Sequence, residues 1–176
     1  MSFTLTLSLC ALVLLAGCSG GTRDRGPVGI GDIAPDFALR AGNDETIALR
    51  DYRGQVVVVF FYPKDNTSIC TKEVCAFRDS YEVFEEHGAK VFGISSDSVD
   101  SHDAFAKAQR LNFPLLSDAG AKVRTLYGVP KTIGLIPGRV TYVIDKDGVV
   151  RHLFNSQKDA QKHVDEALKV VQALAK

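Results

Sequence analysis

The chain has 176 residues, long enough for one well-buried domain and short for two. Its apolar content of 45% and charged content of 24% are ordinary for a soluble globular protein. Lys plus Arg equals Asp plus Glu, 21 each, with no local basic cluster, which argues against an electrostatic nucleic-acid binder.

From Phe3 to Ala16 the chain is apolar, with scattered Ser and Thr and no charge. These 14 residues are too few to span a bilayer comfortably and fit the core of a signal peptide. Leu15-Ala16-Gly17-Cys18 resembles a bacterial lipoprotein processing box, in which Cys18 would become the lipid-modified first residue. The segment departs from that pattern in having no Lys or Arg before the apolar run. Ser19 to Val28 holds three glycines, a proline and three charges, and reads as a flexible tether. The expected organisation is a leader over 1–17, a tether over 18–28 and one domain over 29–176. The expected location is extracytoplasmic, lipid-anchored and facing the periplasm or cell exterior. A soluble protein is the alternative if the leader is not functional.

The domain alternates strand and helix patterns. Expected strands are Asp36 to Ala41, Thr46 to Leu49, Val56 to Tyr62, Lys90 to Ser95, Arg139 to Asp145 and Val149 to Asn155, with a shorter one at Pro114 to Leu116. Expected helices are Thr67 to Glu86, Ser98 to Arg110, Asp118 to Tyr127 and Asp159 to Ala175. Asp145-Lys146-Asp147-Gly148 is a hairpin signal between two alternating runs. Strand–helix–strand followed by a terminal hairpin and helix predicts an α/β fold with a mixed central sheet flanked by helices on both faces.

The chemistry concentrates after the Val56–Val59 run, which reads as a strand buried on both faces. Pro63, Asp65 and Asn66 break that strand, and Thr67 is placed to cap a helix whose first turn carries Cys70. An apolar stripe at Val74, Phe77, Tyr81 and Phe84 extends back to Cys70, whereas Cys75 falls off it. A thiol at a helix N-terminus meets unpaired N–H groups and the positive end of the helix dipole, and both favour the thiolate. Five residues apart on an intact helix, two Cα atoms are roughly 8–9 Å distant. A disulfide spans at most about 7 Å. Cys70 and Cys75 can therefore bond only if the first turn unwinds, which reads as a switch between two states. The position of Cys70, just past a strand's carboxyl end, is where open α/β sheets bind ligands.

Pro63-x-x-x-Thr67-x-x-Cys70, followed by Thr71-Lys72-Glu73-Val74-Cys75 and Phe77-Arg78-Asp79, resembles the peroxiredoxin active-site motif. The likeness is to the peroxiredoxin Q or bacterioferritin comigratory protein branch and covers about residues 29 to 176. The resemblance implies a thioredoxin-like fold in its peroxiredoxin form. It implies a thiol-dependent peroxidase acting on hydrogen peroxide and organic hydroperoxides, through sulfenic acid at Cys70 and an intrachain Cys70–Cys75 disulfide. A thioredoxin-type donor would reduce that disulfide. Thr67 would contact the peroxide, Pro63 would shield the thiolate from water, and Arg139 matches the family's arginine before an apolar strand. Glu73 is either a helix-start acid or a group that positions Arg139. No metal, haem or flavin is implied, and the intrachain pair removes any need for a dimer, so a monomer is expected.

His87, His102, His152 and His163 are dispersed, without metal spacing, and are expected on solvated faces. Arg78 and Asp79 are expected to be surface or local salt-bridge residues. Two other classes fit the cysteine pair: a thiol–disulfide oxidoreductase, and a membrane-tethered redox sensor.

Overall fold

The computed structural model describes residues 27–42, 45–132 and 134–175. The leader, most of the tether, Cys10 and Cys18 lie outside the described residues. Val28, expected at the end of the tether, instead packs in the core at 8% exposure, and its N–H donates to the Tyr127 carbonyl.

In chain order the strands and helices are β1 Ala38–Arg40, β2 Thr46–Ala48, β3 Val56–Phe61, α1 Ser68–Asp79, α2 Tyr81–Glu86, β4 Ala89–Ser95, α3 Val99–Gln109 and β5 Leu115–Ser117. They continue with α4 Lys122–Leu126, β6 Lys131–Thr132, β7 Ile136–Pro137, β8 Val140–Ile144, β9 Val150–Asn155 and α5 Ala160–Leu174. A 3-10 turn at Leu49–Tyr52 follows β2. Seven strands form one sheet in the order β2-β1-β5-β4-β3-β8-β9. The β3–β4 and β4–β5 pairs are parallel and the others antiparallel, so the expected mixed sheet is present.

β3 lies at the heart of the sheet, and its pleat distributes side chains to two cores. Val56, Val58, Phe60 and Tyr62 face a cluster with Val74, Phe77 and Phe84 and with Val164, Ala167 and Val171 of α5. Val57, Val59 and Phe61 face the opposite cluster, with Phe92, Ile94, Tyr127 and Tyr142. The Phe77 ring stacks on Phe60 at 4.3 Å and 9°, which seats α1 directly on the strand that precedes it.

Most elements are trimmed by a residue or two at their ends, and three features differ more substantially from the sequence reading. The single helix expected from Thr67 to Glu86 is two helices, because Ser80 leaves the helical region at φ −103°, ψ 0°. The apolar stripe nevertheless continues through Tyr81 and Phe84, so periodicity alone does not mark the break. The helix expected from Asp118 shortens to α4, because Ala121 takes a left-handed φ of 52° and the Asp118 carboxylate accepts the Val123 and Arg124 N–H groups. The β6–β7 pair has only two residues per strand, too few to show alternation. The hairpin at Asp145–Gly148 forms as expected, with Gly148 at φ 77° and the Asp145 carboxylate accepting the Asp147 and Val149 N–H groups.

Candidate functional site

The loop between β3 and α1 is held rigidly. Tyr62 N–H donates to the Ile94 carbonyl, and Asp65 N–H donates to Asp97 Oδ2 at 3.0 Å. Asn66 adopts a left-handed φ of 57°, which asparagine tolerates better than most residues. Asp65 is buried and accepts hydrogen bonds from Tyr62 Oη (2.7 Å), Ser101 Oγ (2.7 Å) and His102 Nδ1 (2.9 Å). Burial works against its charge, but these donors outweigh it and hold the carboxyl below its usual range. His102, expected on a solvated face, is therefore a buried tie between α3 and the active loop, at 1% exposure. Pro63 is half-buried and Thr67 exposed.

Thr67 occupies the N-cap position of α1, but its side chain makes no cap hydrogen bond. Its hydroxyl donates instead to the Lys64 carbonyl at 3.1 Å, closing the loop. The first turn of α1 thus has neither a side-chain cap nor an acidic residue. Cys70 follows in that turn as a free thiol at 1% exposure.

Cys70, Glu73, Val74 and Phe77 form the buried face of α1. Glu73 is three residues past Cys70 and so shares its stripe. Arg139, at 2% exposure, enters beside β8. Its Nη2 donates to Cys70 Sγ at 3.1 Å, and its Nη1 donates to Glu73 Oε2. Of the two readings of Glu73, the structure shows the partner of Arg139. Burial pushes the Glu73 carboxyl up to about 8 against the pull of Arg139; burial also works against the guanidinium, but the groups around it outweigh that and Arg139 stays charged. For Glu73 burial prevails, since Oε1 has no hydrogen-bond partner among the described residues.

His163 stands behind Glu73, 3.7 Å from Oε1 and fully buried, where a surface position was expected. Nε2 donates to the Ser156 carbonyl (2.9 Å), which leaves Nδ1 to accept from the Thr141 hydroxyl (2.8 Å). Burial holds this imidazole down to about 4, so it is neutral at pH 7. The sequence signal was available: His163 falls between Ala160, Val164 and Ala167 on the inward stripe of α5. His87 and His152 are half-buried. Among the described residues no group of three or more His, Cys, Asp or Glu is placed to hold a metal ion.

Cys75 is half-buried, with its thiol 3.5 Å from Gln109 Oε1. It lines a groove of about 790 Å³ between α1 and the start of α5, bordered by Lys72, Asp79, Lys158 and Lys162. Arg78 pairs with Asp79 as expected and also donates to the Gln109 carbonyl at 2.6 Å, pinning α1 to α3 beside Cys75. The structure thus links Cys70 and Glu73 through the Arg139 guanidinium, with Cys75 on another face of the same helix. A charged guanidinium donating to a buried thiol can stabilise negative charge on sulfur and on an oxygen that sulfur attacks.

The sequence profile of the AhpC/TSA family matches residues 30–153. The chain is 50% identical over 150 residues to the chloroplastic peroxiredoxin Q of Triticum aestivum, covering 85% of this chain and 69% of that protein. It is 52% identical over 145 residues to that of Sedum lineare, covering 82% and 78%. Among solved structures, the peroxidoxin BcpB of Mycobacterium tuberculosis superposes with a TM-score of 0.77 at 36% identity, covering 84% of this chain and 98% of that one. The bacterioferritin comigratory protein of Xanthomonas campestris, studied for alkyl peroxide reduction, gives 0.76 at 30% identity, covering 86% and 100%.

These relatives correct the expected location. The peroxiredoxin Q relatives of Triticum aestivum, Sedum lineare, Populus jackii and Arabidopsis thaliana are chloroplastic proteins, which overturns the extracytoplasmic, lipid-anchored reading. An apolar run with a cysteine matches a leader by composition alone, and this one lacked the preceding positive charge. Among the described residues no helix is long and apolar enough to cross a membrane. The thioredoxin-like fold, the family profile and relatives at half identity agree. The chain belongs to the AhpC/TSA family on its peroxiredoxin Q branch, as a peroxidase whose chemistry calls for a peroxide substrate and a thiol reductant.

Proposed function

We propose that Cys70 is the peroxide-reducing thiol and Cys75 its resolving partner. The observation that carries this reading is the Arg139 guanidinium, donating to Cys70 Sγ at 3.1 Å while braced by Glu73. The Cys70 thiolate attacks the distal oxygen of the hydroperoxide. The O–O bond breaks, its electron pair leaves on the other oxygen, and that oxygen takes a proton to depart as water or alcohol. Cys70 becomes sulfenic acid. Arg139 and the Thr67 hydroxyl hold the reacting oxygens in line and stabilise the charge that develops on them. Pro63, half-buried in the preceding loop, limits water at the sulfur.

The first turn of α1 then unwinds. The missing side-chain cap supports this step, because an uncapped helix end is weaker by about 1 kcal/mol. The Cys75 sulfur attacks the Cys70 sulfur, forming the intrachain disulfide and releasing water. A thioredoxin-type dithiol returns both thiols by exchange and is itself oxidised to its disulfide. Hydrogen peroxide and organic hydroperoxides are the substrates, the latter in keeping with alkyl peroxide reduction by the Xanthomonas campestris relative. The unit at work is the domain over 29–176, as a monomer, since both cysteines lie on one helix.

Two single substitutions test the assignment. Cys70→Ser should abolish peroxide consumption. Cys75→Ser should still form a sulfenic acid that a dimedone probe traps on Cys70, while losing turnover with a dithiol donor. Dimedone labelling of Cys75 in C70S at the rate seen for Cys70 in C75S would overturn the assignment.

A further inference from the structure

Arg124 sits on α4, at 5% exposure, beside Val123 and Tyr127 of the core face opposite α1. A buried guanidinium is costly to desolvate, so its partners are informative. Its hydrogen bonds go to two main-chain carbonyls: Nη1 donates to Gly138 at 2.8 Å and Nη2 to Tyr62 at 2.6 Å. Nε has no partner among the described residues, and the Phe61 ring centroid lies 5.7 Å from the guanidinium carbon. The residue's own N–H is fixed by Asp118 Oδ2 at 2.9 Å.

The two carbonyls are those that matter for the site. Tyr62 immediately precedes Pro63 and the loop to Cys70, and Gly138 immediately precedes Arg139. β3 and β8 pair antiparallel, and Phe61–Val140 is the last pair of their register. Beyond it the strands diverge, one toward the Cys70 loop and one back toward Arg139. The ladder register ends at that pair among the described residues, and the planar fork of Arg124 joins the two segments beyond it.

We propose that Arg124 is a positioning residue of the peroxide site, tying the Tyr62 and Gly138 carbonyls together and so setting the distance between the Cys70 thiol and the Arg139 guanidinium. The inference rests on the peroxidase reading of that pair. A lysine in its place keeps the charge but presents a single compact ammonium, which cannot reproduce a fixed two-pronged contact.

The test compares two reactions of the same sulfur in the full reduced chain. Oxidation of Cys70 by hydrogen peroxide needs Arg139 aligned with both the sulfur and the reacting oxygens, whereas alkylation by iodoacetamide draws only on the thiolate that a nearby guanidinium favours. Both rates are read at Cys70 by quenching and peptide mass mapping, in the parent, R124M, R124K and a distant core variant, I47A. The expected result is a peroxide rate lower by roughly 10- to 100-fold in R124M and R124K, the scale of a small misplacement of reacting groups. The alkylation rate should change by less than about 3-fold, a small part of that misplacement effect. I47A, destabilised without touching either loop, should keep the parent's ratio of the two rates.

A parent-like ratio in the Arg124 variants overturns the proposal. So does full recovery in R124K alone, which would make charge rather than the fork the operative feature. If R124M fails to fold, R124K decides by the same ratio. A parent chain that does not react with peroxide would instead bring down the peroxidase reading itself.

Discussion

Replacing Glu73 with glutamine probes the electrostatics that prepare Arg139. Burial pushes the folded carboxyl up to about 8 from a reference of 4.5. Between those values the folded protein binds a proton at Glu73 that the unfolded chain does not. This contribution to stability is therefore fully present below the unfolded value and is lost as pH rises toward 8, at up to about 1.4 kcal/mol per pH unit. From pH 5 to pH 7 Glu73 alone should remove roughly 2–3 kcal/mol from the parent. The E73Q side chain has the same shape, keeps a carbonyl oxygen for Arg139 Nη1 and does not titrate. Urea unfolding of both proteins at pH 5, 6 and 7 should show the stability difference moving toward the variant by that amount. Other titrating groups are common to both proteins and cancel in the difference. A difference that is flat with pH would refute the reasoning, because it would mean that Arg139 compensates burial fully and Glu73 stays ionised throughout. The functional corollary is that a neutral Glu73 near pH 7 leaves the charge of Arg139 to the Cys70 sulfur and the peroxide.

His163 runs with the opposite sign. Its folded value, near 4, lies below the reference of 6.5, so its contribution is present above 6.5 and is lost as pH falls toward 4. Over that window H163Q should lose less stability than the parent in acid, as read by thermal unfolding. Arg139→Met should lower the second-order rate with hydrogen peroxide by roughly 10²–10³, the scale of removing one charged donor from developing negative charge, and an unchanged stopped-flow rate would contradict its role. His102→Ala removes one of three hydrogen-bond donors from the buried Asp65 carboxylate. It should cost roughly 1–3 kcal/mol in urea unfolding, and a cost below about 0.5 kcal/mol would show that Tyr62 and Ser101 suffice.

The parts of this account legible in the sequence are those carried by local pattern. Four valines in a row marked the doubly buried β3, and the turn residues Pro63, Asp65 and Asn66 marked where it stops. The inward stripe of α1 placed Cys70 inside and Cys75 off the face, and a family motif pointed to Arg139. What escaped were titratable side chains inside the protein. His102 and His163 read as surface because an isolated histidine usually is, yet each occupies a core-facing helical position and finds its partner on another element. Arg124 carried no signal of its own, since its two acceptors lie 62 and 14 residues away and are main-chain atoms. The break at Ser80 was hidden because the apolar stripe runs straight across it. The expected address rested on the composition of a short apolar run, and composition alone does not tell one targeting signal from another.

The central claim is that Cys70 and Cys75 form a local peroxide-driven couple, and intact-mass analysis tests it most directly. The reduced protein is treated with one equivalent of hydrogen peroxide, quenched from milliseconds to seconds, and mapped by peptide. The account predicts rapid loss of two hydrogens and a Cys70–Cys75 cross-link within single chains. Thiols that persist for minutes, or a cross-link joining two chains, would contradict it.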